Sequence, residues 1–130
     1  MPNVESFKVL TTLSAQRVVA MQSGTAHTVV YPEDKLRSFV GVTIDTVLDT
    51  TSSIPVQTDG KAWLYFNDTV TSGQLVSADT NGRGVPVTLA NTTASMTLAV
   101  AYVGTLIGPK VDATGTIAEV LVNPGIARGV

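Results

Sequence analysis

The chain contains no cysteine, one histidine and few aromatic residues: one Trp, three Tyr and three Phe among 130 residues. Without cysteine there are no disulfides and no thiolate metal sites. A nucleophile activated by a histidine and an acid would have to use His27. That residue falls in a stretch, Thr25 to Val30, that reads as ordinary strand. Any metal site is reduced to carboxylates and carbonyls, the ligands of Ca²⁺ or Mg²⁺. Charge is also scarce, at 14% against a usual share of roughly 25%, so a partner is expected to cover part of the surface. The eight Lys and Arg (Lys8, Arg17, Lys35, Arg37, Lys61, Arg83, Lys110 and Arg128) are scattered and the formal net charge is −2. No basic stripe is present to neutralise phosphates, and nucleic acid is not an expected partner. The longest apolar run, around Leu98 to Ile107, is interrupted by Gly104 and Thr105 and is too short to cross a bilayer. Pro2, Glu5 and Lys8 give the opening segment no signal-peptide character. A soluble chain made in the cytosol, without a membrane partner, is the expectation.

What the chain does have is β-branched residues in short runs: Val29-Val30, Val40 to Ile44, Ile54 to Thr58, Ala62 to Phe66, Thr97 to Val103 and Ile117 to Val122. These are strand signals. Turn signals separate them at Ser23-Gly24, Asp59-Gly60, Thr71 to Gly73, Asn81-Gly82, Gly108-Pro109, Thr114-Gly115 and Asn123 to Gly125. Helical spacing is confined to one candidate turn, Pro32 to Arg37, with Pro32 at its first position. The length fits one domain, residues 1–130. The fold class is all-β, a small barrel or sandwich.

The chain also repeats itself. Ser14 to Val29 aligns without a gap on Ser72 to Val87, pairing Ser14 with Ser72, Gln16 with Gln74, Val18 with Val76, Ala20 with Ala78, Gly24 with Gly82 and Val29 with Val87. The same alignment sets His27 against Val85. Further on, Phe39-Val40-Gly41 aligns with Tyr102-Val103-Gly104, Ile44 with Ile107, Ile54 with Ile117, and Gly60 with Gly125. Two pseudo-symmetric halves, residues 12–60 and 70–125, are predicted to share one core, preceded by an N-terminal arm, residues 1–11.

No constellation in the sequence calls for catalysis. Asp79-Thr80-Asn81-Gly82 resembles part of a Ca²⁺ loop, but Arg83 to Leu89 supplies no closing carboxylate, and an Asn-Gly β-turn accounts for the same residues. Asp45 and Asp49 read as loop residues; nothing brings them together as the paired acids of a glycosidase. Gly82-Arg83-Gly84 lacks the Gly-Lys-Ser/Thr ending of a phosphate loop. Asn67-Asp68-Thr69 and Asn91-Thr92-Thr93 read as turns. Trp63 stands out: in a strand it shares a face with Tyr65, while Leu64 and Phe66 share the other. A strand apolar on both faces is either central to the core or carries an interface on its second face.

Three segments carry a family resemblance: Ile54 to Ala62 (IPVQTDGKA), Val70 to Val76 (VTSGQLV) and Asp79 to Arg83 (DTNGR). Together with Ala101 to Gly104 and the closing run Ile117 to Val122, they resemble the capsid decoration (cement) proteins of tailed phages. The resemblance spans about Ser14 to Pro124; the Thr46 to Ser53 loop, the Ala90 to Ala94 insert and Met1 to Leu10 depart from it. It implies a β-barrel or β-tulip-like domain on the outer face of an expanded head, a homotrimer bound to the major capsid protein, with no cofactor and no catalytic residue. On that basis the arm, through Pro2, Val4, Phe7 and Val9, and the strand residue Trp63 are the candidate contacts. The competing expectation is a carbohydrate-binding or adhesin module with Trp63 as stacking platform. A small hydrolase is disfavoured by the missing nucleophile and base.

Overall fold

In the computed structural model the described residues are 3–22, 26–32, 39–48, 53–87, 99–111 and 115–128. Their regular elements are all strands: β1 (Val4–Val9), β2 (Val18–Met21), β3 (Thr28–Val30), β4 (Phe39–Thr43), β5 (Ser53–Gln57), β6 (Gly60–Tyr65), β7 (Leu75–Ala78), β8 (Gly84–Pro86), β9 (Ala99–Leu106) and β10 (Ile117–Arg128). β1 to β5 form a closed barrel in the order β1-β3-β2-β4-β5, and β6 to β10 form a sheet in the order β6-β10-β9-β7-β8. The candidate helical turn at Pro32 to Arg37 lies outside the described residues beyond Pro32.

The two sheets are copies of one another. In the first, β1 runs parallel to β3 and antiparallel to β5. In the second, β6 is antiparallel to β10 and meets β8 through a parallel bridge between Phe66 and Gly84. The registers agree residue by residue: Phe7 faces Ile54 as Leu64 faces Ala118, and Val19 faces Gly41 as Val76 faces Gly104. Gly41 and Gly104 hold the same tight approach, since a Cβ on the first would fall on the Gln57 carbonyl and on the second on the Leu121 carbonyl. Volume is exchanged across the parallel contact. Val9 pairs with Val29 in the first half, whereas the second sets the larger Phe66 against Gly84, where an added Cβ would lie 2.7 Å from the Phe66 ring.

The duplication is therefore structural, but both the alignment and the boundaries read from the sequence change. Backbone pairing displaces the whole ungapped match of Ser14 to Val29 on Ser72 to Val87: Val19, not Val18, matches Val76, Ala20 matches Ser77 and not Ala78, and Val29 matches Gly84 and not Val87. Further on, Ala118, not Ile117, matches Ile54, while Gly41 against Gly104 holds. A slip of one residue exchanges the two faces of a strand. Val19 points into the barrel and Val76 into the core under the second sheet, whereas Val18 points across to the other half. The second correction concerns residues 1–11. Of these, residues 3–11 are no free arm, because β1 closes the first barrel, and its start is tied down by Asn3, whose backbone and side-chain nitrogens donate to the Asp59 carboxylate at 2.7 and 2.8 Å. The halves accordingly begin at β1 and β6.

Each half encloses its own apolar interior, and the two are fused at one side. Phe7, Val9, Leu13, Val19, Val29, Val47, Ile54 and Val56 fill the first barrel. Leu64, Phe66, Val70, Val76, Val111, Ala118 and Val120 occupy the matching places in the second, whose cluster also takes in Val18, Ala20, Phe39 and Val42 from the outer face of the first half. The Val18 amide donates to the Gly82 carbonyl at 2.7 Å and the Tyr65 amide to that of Gln16 at 2.9 Å. The Arg17 guanidinium lies 4.4 Å above the Tyr65 ring, a cation–π contact across the same seam.

Candidate partner-binding surface

The residues nominated from sequence separate sharply. Phe7 and Val9 are 8% and 4% exposed; they are core residues, corrected from their assignment as contacts because alternation along β1 turns them inward. Val4, on the same strand, is exposed. Pro2 lies outside the described residues. Trp63 is 56% exposed, so the aromatic side of β6 faces outward while Ala62, Leu64 and Phe66 face the core.

Trp63 does not stand alone. On the neighbouring strand Glu119 lies opposite it, with Ile117 opposite Tyr65 and Leu121 opposite Lys61. Alternation puts Lys61, Trp63, Tyr65, Ile117, Glu119 and Leu121 on one face. Ile117 and Leu121, both exposed, sit diagonally to Trp63, within reach of a large ring. The indole also walls two depressions. One, of about 380 Å³, is bordered by Pro109, Lys110, Ile117 and Glu119; the other, of about 150 Å³, by Gln16, Ile44, Gln57 and Lys61. Exposed Ile44 extends the apolar surface on that side. Ile44, Ile117 and Leu121 were missed as site residues from sequence. For Ile117 and Leu121 the signal was present in Ile117 to Val122, where both alternating sets are rich in apolar residues, as in Ala62 to Phe66.

The polar residues weighed for chemistry have structural employment. The Asp79 carboxylate accepts hydrogen bonds from the Asn81 and Arg83 amides at 2.9 and 3.0 Å, from Arg83 Nε at 2.9 Å and from Asn67 Nδ2 at 3.0 Å. It organises the turn, in which Gly82 has φ +74° and no room for a Cβ between the Val18 carbonyl and Tyr31. His27 has φ +55° in the turn before β3 and is exposed; its carbonyl accepts from the Lys8 amide at 2.7 Å. Asp45 is exposed and Asp49 lies outside the described residues. Among the described residues no three His, Asp or Glu side chains converge on a common point.

No protein-family model matches the sequence, and no curated protein does. The fold does have a solved counterpart. The head fiber gp8.5 N base of bacteriophage phi29 superposes with a TM-score of 0.65 at 11% sequence identity, over 95% of this chain and 95% of that one. The two chains share a fold from end to end, with nearly all of the sequence changed.

Proposed function

We propose that this chain is a structural protein of a tailed-phage head, seated on the outer face of the shell. The observation that carries the reading is the end-to-end fold match to a phage head fiber base, reached independently of the sequence resemblance to phage decoration proteins. A sparsely charged chain with an exposed apolar face suits a protein that works inside an assembly.

The proposed mechanism is mechanical. Copies of the chain, as a homotrimer, contact the major capsid protein of neighbouring capsomers, so that release requires several weak contacts to break together. A ligand stabilises the state it binds better; preference for the expanded shell would make the chain a cement for that state. The reading needs neither a catalytic residue nor a cofactor.

Sedimentation of the purified protein with expanded heads stripped of their decoration, alongside unexpanded precursor heads, tests it. Saturable binding that favours expanded heads is expected. A second reading, a glycan-binding module of a virion or cell surface, is favoured by one observation: an exposed indole beside a groove of about 380 Å³. Quenching of Trp63 fluorescence by glycans, with no binding to heads, would select it.

A further inference from the structure

The duplication supplies an internal control for the exposed face. The same backbone occurs twice in one chain, so the residues of one half show what the fold itself demands at each position of the other. Register matching sets Trp63 against Ser6, Tyr65 against Lys8, Ile117 against Ser53, Glu119 against Pro55 and Leu121 against Gln57. In the first half Ser6, Lys8 and Ser53 are exposed and polar, as a solvated sheet face requires. In the second, the matching positions carry an indole, a phenol and a branched aliphatic chain, with Trp63 and Ile117 56% and 44% exposed. Tyr65 serves the seam through Arg17, Gln57 is buried where Leu121 is exposed, and Val4 is exposed where the second half has Lys61; at Trp63 and Ile117 folding does not account for the difference.

The first half also shows what covers this face of the unit when it is apolar. Its Val18 and Val42 point outward and are fully buried against the second half. Their register equivalents, Leu75 and Thr105, continue the face beyond Leu121 and are only half-buried. Within this chain the cover for that surface is another copy of the same fold unit.

Charge points the same way. Lys61 and Glu119 lie diagonally across the β6–β10 pair, beside Trp63 and Leu121, and form no ion pair with each other or with any described residue. The face carries charges of both signs around an apolar centre, Lys61 on one side and Glu119 with Lys110 on the other: Lys61 of one copy can meet Glu119 of the next while the apolar residues are covered. A strongly acidic or basic partner would leave one of the two opposed.

We propose that the outer face of β6 and β10, centred on Trp63, Ile117 and Leu121, is the surface through which copies of this chain associate. This names the surface for the self-association proposed above. Its test uses the free protein, so it stands or fails separately from head binding.

The test is molar mass by equilibrium sedimentation across a concentration series, for the wild type and for Trp63→Ser with Ile117→Ser, which installs the first half's own residues. The wild type is expected to be an oligomer. Loss of a central anchor should raise the dissociation constant about thirtyfold or more, leaving monomer with an unchanged circular dichroism spectrum. Lys61→Glu and Glu119→Lys should each weaken association, and the two together should restore it. A monomeric wild type, an oligomer indifferent to the Trp63 and Ile117 changes, or a charge exchange that restores nothing would each overturn the proposal. A monomeric wild type whose head binding is lost with those two changes would assign the face to the shell instead.

Discussion

Trp63 and Phe66 lie three residues apart and face opposite ways, so truncating each to Ala asks directly which side of β6 builds the fold. Phe66 is fully buried in the second core, against Gly84 and Leu64; replacement of such a residue by Ala costs about 3–5 kcal/mol. Trp63 is larger but 56% exposed, and its truncation should cost no more than about 1.5 kcal/mol, as burial is partial and the unfolded reference is itself compact. For 130 residues the unfolding entropy near 60 °C is about 0.27 kcal/mol/K. Phe66→Ala should therefore lower Tm by roughly 11–18 °C, and Trp63→Ala by no more than about 6 °C. Thermal unfolding followed by circular dichroism at submicromolar protein, where association adds little to apparent stability, measures both. If the Trp63 variant lost as much as the Phe66 variant, the outward face assigned to β6 would be wrong.

Three further outcomes follow from the same geometry. Gly41→Ala and Gly104→Ala should each destabilise by at least about 1–3 kcal/mol, because a backbone carbonyl must move to admit the methyl group; urea unfolding should return similar losses for the two matched sites. Deleting residues 1–10 removes β1 and takes Phe7 and Val9 from the first core, so the truncated chain should lose its cooperative unfolding transition, where a dispensable arm would leave it intact. Asp79→Ala removes the acceptor of four hydrogen bonds and should cost about 1.5–3 kcal/mol in denaturant, with Asp79→Asn retaining part of the loss.

The sequence disclosed the class of the fold because that rests on local chemistry, whereas the duplication holds in the structure on a different alignment from the one the residues suggested. β-branched runs mark strands wherever they occur. The turn glycines Gly60, Gly73, Gly82 and Gly115 all adopt positive φ, in turns the sequence had marked. What it misplaced depends on pairing partners. β1 (VESFKV) and its counterpart, residues 61–66 (KAWLYF), share no identity in register, so nothing in the residues revealed that the repeat starts there, and the first strand passed for an arm. The ungapped match is displaced by one residue at Val18 and by three at Val29, because similar small residues occupy both faces and two more residues separate Met21 from Val29 than Ala78 from Gly84, and only the hydrogen-bond ladder resolves it. Trp63 was legible as a candidate contact, since five consecutive apolar residues serve two faces. Which face was outward became clear only once the core had chosen Leu64 and Phe66.

The central claim, a structural role on a phage head, is tested most directly by co-sedimentation of the free protein with expanded heads stripped of their decoration and with unexpanded precursor heads. The account predicts saturable binding with a clear preference for the expanded heads, weakened in the Trp63→Ser, Ile117→Ser protein because monomers lose the avidity of joined copies. Absence of binding to either kind of head would contradict it.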